Sequence, residues 1–235
     1  MNNKLGLVLS GGGTKGVAHA GVLKFLEEKG IQPQILAGAS VGSIVSCLYA
    51  VGKTPKEILD FFKSVYFFNW KHIAFNKPGI VKSAVFKIYL KPIFGEMKIG
   101  DFKKEVNITA TDIVTGELKI FDKETRVIDA IIASSSFPGI ATPYMFGGVL
   151  YSDSGILNNF PADIIRDRCD KMIGVYLSSP QEVKQKQMNT IKSVTYRAFD
   201  LLSHRVETYK FAYCDWLIDC LLYTSPSPRD RTRSR

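Results

Sequence analysis

Twice within the first 51 residues an apolar run stops at a turn of small residues and resumes as a helical pattern. Residues 4–10 read as a buried strand, residues 11–13 are glycine, and a helix follows from about Lys15 to Lys29, with Gly30 placed to end it. A second strand, about Gln34 to Ala39, runs into Gly38-Ala39-Ser40-Val41-Gly42, and a second helix then carries Ile44, Val45, Leu48 and Val51. Parallel strands need long crossovers, and helices at this spacing supply them. The expected fold is therefore α/β: three layers, α/β/α, around a mainly parallel central sheet.

The rest of the chain fits that frame. Residues 55–98 read as helical and rich in aromatics. Val106–Thr111 and Glu117–Phe121 alternate around a Thr115-Gly116 turn and predict a hairpin. Val127–Ala133 is a short helix, residues 144–151 a strand pair around Gly147-Gly148, Met172–Leu177 an apolar strand, and Ile191–Tyr213 one long amphipathic helix. A length of 235 residues suits one core.

Charge bears on partners. The formal net charge is +9, and two stretches account for all of it. Residues 63–98 hold seven Lys and one Glu, residues 221–235 four Arg and one Asp, and the remainder is neutral overall. No basic groove follows from such a distribution, and nucleic acid is not an expected partner. The 63–98 segment interleaves its lysines with Tyr66, Phe67, Phe68, Trp70, Phe75, Phe86, Tyr89 and Phe94. It reads either as a peripheral membrane contact or as a helical layer with aromatics inward; the second is preferred. Residues 221–235 have no periodicity and an abrupt Ser/Pro/Arg bias. They read as a non-native tail resembling sequencing-adapter read-through rather than as a natural basic tail, and are set aside for fold purposes.

Cys47, Cys169, Cys214 and Cys220 form no C-x-x-C pair. Reduced thiols imply a cytoplasmic setting, peripheral at the inner membrane surface if the basic segment docks. Leu5–Leu9 is too short for a signal sequence, and no stretch reaches membrane-spanning length. His19, His72 and His204 are scattered without metal-ligand spacing, so neither metal nor cofactor is expected.

Three motifs carry chemistry. Gly38-Ala39-Ser40-Val41-Gly42 fits G-x-S-x-G between strand and helix, where a sharp turn exposes the serine hydroxyl; Gly38 and Gly42 give the backbone room to make it. Ser10-Gly11-Gly12-Gly13-Thr14-Lys15-Gly16 offers bare N–H groups to an oxyanion. Its Gly11, Gly13 and Gly16 also satisfy a dinucleotide fingerprint, but that site needs a carboxylate at the end of the second strand, where this chain has Gly38-Ala39-Ser40. Asp153-Ser154-Gly155 follows a strand end; taken alone, such an Asp is usually a turn residue. Lys15 is either electrostatic support for an anionic site or a solvated first-turn lysine.

Together and in this order, these motifs resemble the patatin-like phospholipase family, as does Ala133-Ser134-Ser135-Ser136-Phe137-Pro138 before the Asp. The resemblance implies a catalytic core over residues 5–165, completed as one domain by residues 166–220. It implies Ser40 as nucleophile, Asp153 as base, Gly11, Gly12 and Gly13 around an oxyanion hole, and (lyso)phospholipids or related lipid esters as substrates. Where the family has Asp-Gly-Gly or Asp-Gly-Ala, this chain has Asp153-Ser154-Gly155. A serine there adds a Cβ that costs about 1 kcal/mol if φ is positive. Two rivals stand beside this reading: an α/β-hydrolase triad of Ser40, Asp153 and His204, and a non-catalytic lipid- or protein-binding module on the same fold.

Overall fold

The computed structural model describes residues 4–73 and 84–220, with the side chains at 66–73, 84, 85 and 192 excepted. The tail 221–235, with Phe75 and the side chains of Tyr66, Phe67, Phe68, Trp70 and His72, lies outside the described residues. In chain order the elements are β1 (Leu5–Leu9), α1 (Val17–Glu28), β2 (Ile35–Gly38), α2 (Val41–Ala50), α3 (Pro55–Ile73), α4 (Ala84–Phe94), β3 (Glu105–Asp112), β4 (Leu118–Ile120), α5 (Val127–Ser134), β5 (Tyr144–Phe146), β6 (Val149–Ser152), α6 (Ala162–Ile165), β7 (Lys171–Tyr176), α7 (Ile191–Glu207) and β8 (Trp216–Asp219).

The strands form one sheet in the order β5-β6-β3-β2-β1-β7-β8, with β4 also on β3. Its centre, from β3 through β2 and β1 to β7 and β8, is parallel. The β4, β5 and β6 pairings are antiparallel. Central parallel strands are apolar on both faces because helices cover both. On β1, Leu7 and Leu9 join the core under α1 and α2, while Val8 faces the smaller cluster with Phe160 and Ile165. On β7, Ile173 and Val175 take the first side and Met172 and Tyr176 the second. Phe94 is buried and Phe86 packs against the first core, so these two rings of the aromatic segment turn inward. Among the described residues no helix is long and apolar enough to cross a membrane.

Two elements differ from expectation. The helix predicted over Ile191–Tyr213 is α-helical only to Glu207, then tightens into a 3-10 helix over Thr208–Tyr213. The tighter winding brings residues three apart into register. It places the Lys210 ammonium 2.7 Å from Glu207 Oε2, with both side chains buried. Lys210 also donates to Asn158 Oδ1 at 2.7 Å. The strand Trp216–Asp219 was not anticipated; it extends the parallel sheet beside β7. Removing one partner of a buried pair strands the other charge. Lys210→Met is therefore expected to lower stability by about 3–5 kcal/mol in urea unfolding, and Lys210→Met/Glu207→Gln, which removes the stranded charge and keeps an Oε1 acceptor, to recover part of that. A single variant within about 0.5 kcal/mol of wild type would contradict it.

Candidate active site

Register brings the motifs together. Leu9 of β1 pairs with Gly38 of β2, so the glycine loop and the Ser40 turn leave the same sheet edge side by side. β3 runs parallel to β2 and continues past it, and β6 returns antiparallel with Ser152 opposite Thr111. The next residue, Asp153, thus arrives beside Ser40, and Thr111 Oγ1 fixes its carbonyl at 3.0 Å.

The turn at Ser40 is tight. Ser40 has φ +50°, the only positive φ of a non-glycine among the described residues. Such a backbone costs about 1–2 kcal/mol. Space explains the flanking glycines: a Cβ on Gly38 would lie 2.4 Å from the Gly42 carbonyl oxygen, and one on Gly42 2.0 Å from that of Leu9. No side chain fits at either position.

Ser40 Oγ donates to Asp153 Oδ2 at 2.6 Å. Oδ1 of the same carboxylate accepts the Gly155 N–H at 2.7 Å. Ser40 is half-buried and Asp153 is 1% exposed. Burial pushes the Asp153 carboxyl up to about 6, against the opposing pull of the hydrogen bonds from Ser40 and Gly155. A carboxylate at its ordinary value would be a weaker base.

The glycine loop is pinned. Gly11 N–H donates to the Asn159 carbonyl at 3.1 Å. The Gly11 carbonyl accepts from Ser10 Oγ at 2.8 Å and Ser178 Oγ at 2.9 Å. In a trans peptide C=O and N–H point opposite ways, so these bonds turn the Gly12 N–H to the other side. Gly11 was expected around the oxyanion hole with Gly12 and Gly13; its N–H is directed to the Asn159 carbonyl. Gly11 instead provides clearance: a Cβ there would lie 2.2 Å from Asn159 Oδ1 and 3.3 Å from Ser40 Cβ. Gly13 has φ +56°, with open space where a side chain would start. Lys15 Nζ donates to the Leu177 carbonyl at 3.2 Å, which ties it to the end of β7.

No described histidine joins Ser40 and Asp153. His19 is fully buried, and Nε2 donates to the Ser10 carbonyl at 2.9 Å. Burial lowers its pKa to about 4, so it stays neutral. His204 Nδ1 lies 3.3 Å from the Tyr176 hydroxyl and its ring 5.7 Å from that of Tyr176, in the smaller cluster's layer. That placement does not assemble the triad the α/β-hydrolase reading requires.

Three contributors escaped sequence reasoning. Ser134 and Ser154 both accept the Ser40 N–H, at 3.0 and 2.9 Å. Ser154 has no positive φ, so the strain feared for it does not arise. Asn159 anchors Gly11 and receives its own support from Glu207, whose Oε1 accepts the Asn159 N–H at 2.6 Å. The Asn158-Asn159 pair carried no motif signal.

Comparison with known proteins agrees with the motifs. A family model described as patatin-like phospholipase matches residues 7–166. "Patatin-like phospholipase domain-containing protein ZK370.4" of Caenorhabditis elegans is 33% identical over 175 residues, 70% of this chain and 13% of its own length. "Lysophospholipase NTE1" of Scheffersomyces stipitis is 29% identical over 185 residues, 73% of this chain and 11% of its own length. The chain thus corresponds to a small part of these much longer relatives. The crystal structure of VipD from Legionella pneumophila shares the fold, with TM-score 0.53 at 16% identity, over 99% of this chain and 64% of that one. With one family model spanning well over half its length and that family's motifs gathered at one sheet edge, the chain belongs to the patatin-like phospholipase family.

Proposed function

We propose that the protein is a serine acyl hydrolase that cleaves carboxylic esters of (lyso)phospholipids or related lipids through a Ser40–Asp153 dyad. The observation that carries this is the 2.6 Å hydrogen bond from Ser40 Oγ to a buried carboxylate of raised basicity. The family and the lysophospholipase name of a relative support a lipid ester as substrate.

In the first half-reaction, Asp153 takes the Ser40 proton as Oγ bonds to the ester carbonyl carbon. The oxyanion is received by the Gly12-Gly13 turn, near the N-terminus of α2; one such donor is worth about 3–4 kcal/mol. The tetrahedral species collapses, the ester C–O bond breaks, and the leaving alcohol takes the proton from Asp153. Water then repeats the sequence: Asp153 accepts its proton, hydroxide oxygen bonds to the acyl carbon, and Ser40 leaves reprotonated.

Two measurements test the reading. Purified protein at pH 8 is expected to react covalently with a fluorophosphonate at Ser40 and to release fatty acid from lysophosphatidylcholine; no labelling and no release would reject it. Asp153 must be ionised to accept the proton, so kcat/KM is expected to fall as pH drops through a midpoint near 6. The midpoint should persist when His19, His72 and His204 are all replaced in a variant that folds. Its disappearance there would assign the ionisation to a histidine.

A further inference from the structure

Three segments meet at the amide of Ser40. Its N–H lies 3.0 Å from Ser134 Oγ, on the last residue of α5, and 2.9 Å from Ser154 Oγ, on the residue after Asp153. Both serines are fully buried. Their hydroxyls are 3.2 Å apart, and Ser154 Oγ lies 3.4 Å from the Ser134 carbonyl. The hydroxyl protons are therefore accommodated within the pair, with Ser134 O–H directed to Ser154 Oγ and Ser154 O–H to the Ser134 carbonyl. Oxygen lone pairs remain for the Ser40 N–H. That N–H belongs to the one non-glycine with positive φ among the described residues, past the end of β2 and outside its strand pairing.

We propose that Ser134 and Ser154 are positioning residues that clamp the Ser40 amide and so hold its hydroxyl on the Asp153 carboxylate. This rests on the reading of Ser40 as nucleophile. A single hydrogen bond leaves rotation about itself free. Here Ser40 is joined to adjacent residues at two points: Oγ to Asp153 and N–H to Ser154. Two points fix orientation as well as distance, which reaction from a near-attack geometry demands. The family pattern has glycine where this chain has Ser154, which would leave Ser134 alone on the amide. Two acceptors for one donor also make each partly redundant, so their removal is expected to be non-additive.

The test uses the full chain with a soluble short-chain ester, counting active sites by fluorophosphonate titration. Ser134→Ala, Ser154→Ala and Ser154→Gly are each expected to lower kcat about fivefold, the scale of one hydrogen bond. The Ser134→Ala/Ser154→Ala double is expected to lower it about 100-fold, with KM within about twofold. The acid limb of kcat/KM should also move to higher pH, because the Ser40 hydrogen bond favours the Asp153 carboxylate and its loosening removes that help. Ser40, Gly155 and Thr111 face Asp153, and none of them titrates in this range. In the glycine loop and the helix after it, Lys15 and His19 are bonded to the Leu177 and Ser10 carbonyls.

A folded double variant within about threefold of wild-type kcat, or a loss of rate with the acid limb unmoved, would overturn the clamp. If the double fails to fold, Ser154→Gly decides: unchanged kcat and an unchanged acid limb overturn it. An inactive, unlabelled wild type would instead reject the reading of the site itself.

Discussion

Asp153→Asn is expected to lower kcat/KM by about 10⁴-fold or more while making the protein more stable at neutral pH. An amide cannot accept the serine proton, yet it occupies the same volume and can still accept the Gly155 N–H now received by Oδ1. The stability gain follows from burial. Asp153 has its folded pKa raised from 3.8 to about 6. Its favourable contribution is fully present below the unfolded value and lost as pH rises through the folded one. At pH 7.5 the wild type thus carries a buried charge costing on the order of 2–3 kcal/mol, and the asparagine does not. The melting-temperature difference between variant and wild type should be smallest near pH 4 and grow toward pH 7.5. An active Asp153→Asn, or a difference that shrinks as pH rises, would refute the role assigned to this carboxylate.

Ser40→Ala is expected to abolish covalent labelling and lower turnover by about 10⁶-fold, the scale seen when a serine nucleophile is removed. Nearby Ser43 offers no substitute: it is fully buried and its Oγ donates to the Ser40 carbonyl at 2.6 Å. Alanine keeps the Cβ, so the strain at φ +50° stays, while the hydrogen bond to the buried Asp153 carboxylate is lost in Ser40→Ala and Ser40→Gly alike. Ser40→Gly separates the two properties. It is expected to be equally inactive but more stable by about 1 kcal/mol, because glycine accepts positive φ freely. Persistent labelling of Ser40→Ala would move the nucleophile elsewhere, and a Ser40→Gly no more stable than Ser40→Ala would show the turn to be unstrained.

Local chemistry was legible in the sequence where one residue type has one physical reason to be present. Gly38 and Gly42 read as elbow glycines, and a Cβ at either would meet backbone, at 2.4 Å and 2.0 Å. The hairpin turned on Thr115-Gly116, where Gly116 does take φ +74°. Long-range pairing was not legible. Nothing local tells Gly11 that its amide will meet Asn159, or Lys210 that it will be buried beside Glu207; each bond depends on how distant segments pack. β8 escaped for a related reason, since three apolar residues, Trp216–Ile218, between Asp215 and Asp219 become a strand only when a sheet edge receives them. Ser154 was misjudged because its Cβ was weighed and its hydroxyl was not.

The position of β7 has a consequence for how the molecule comes into being. β1 lies between β2 and β7, and Ser10 Oγ accepts the Leu177 N–H from 167 residues further along the chain. The ribosome makes the serine turn and the glycine loop well before β7, the strand that pairs with β1 on its other side. Contacts so distant in sequence form slowly, and an N-terminal segment waiting for them exposes an unpaired β1 edge. During that interval the nascent protein needs shielding from self-association.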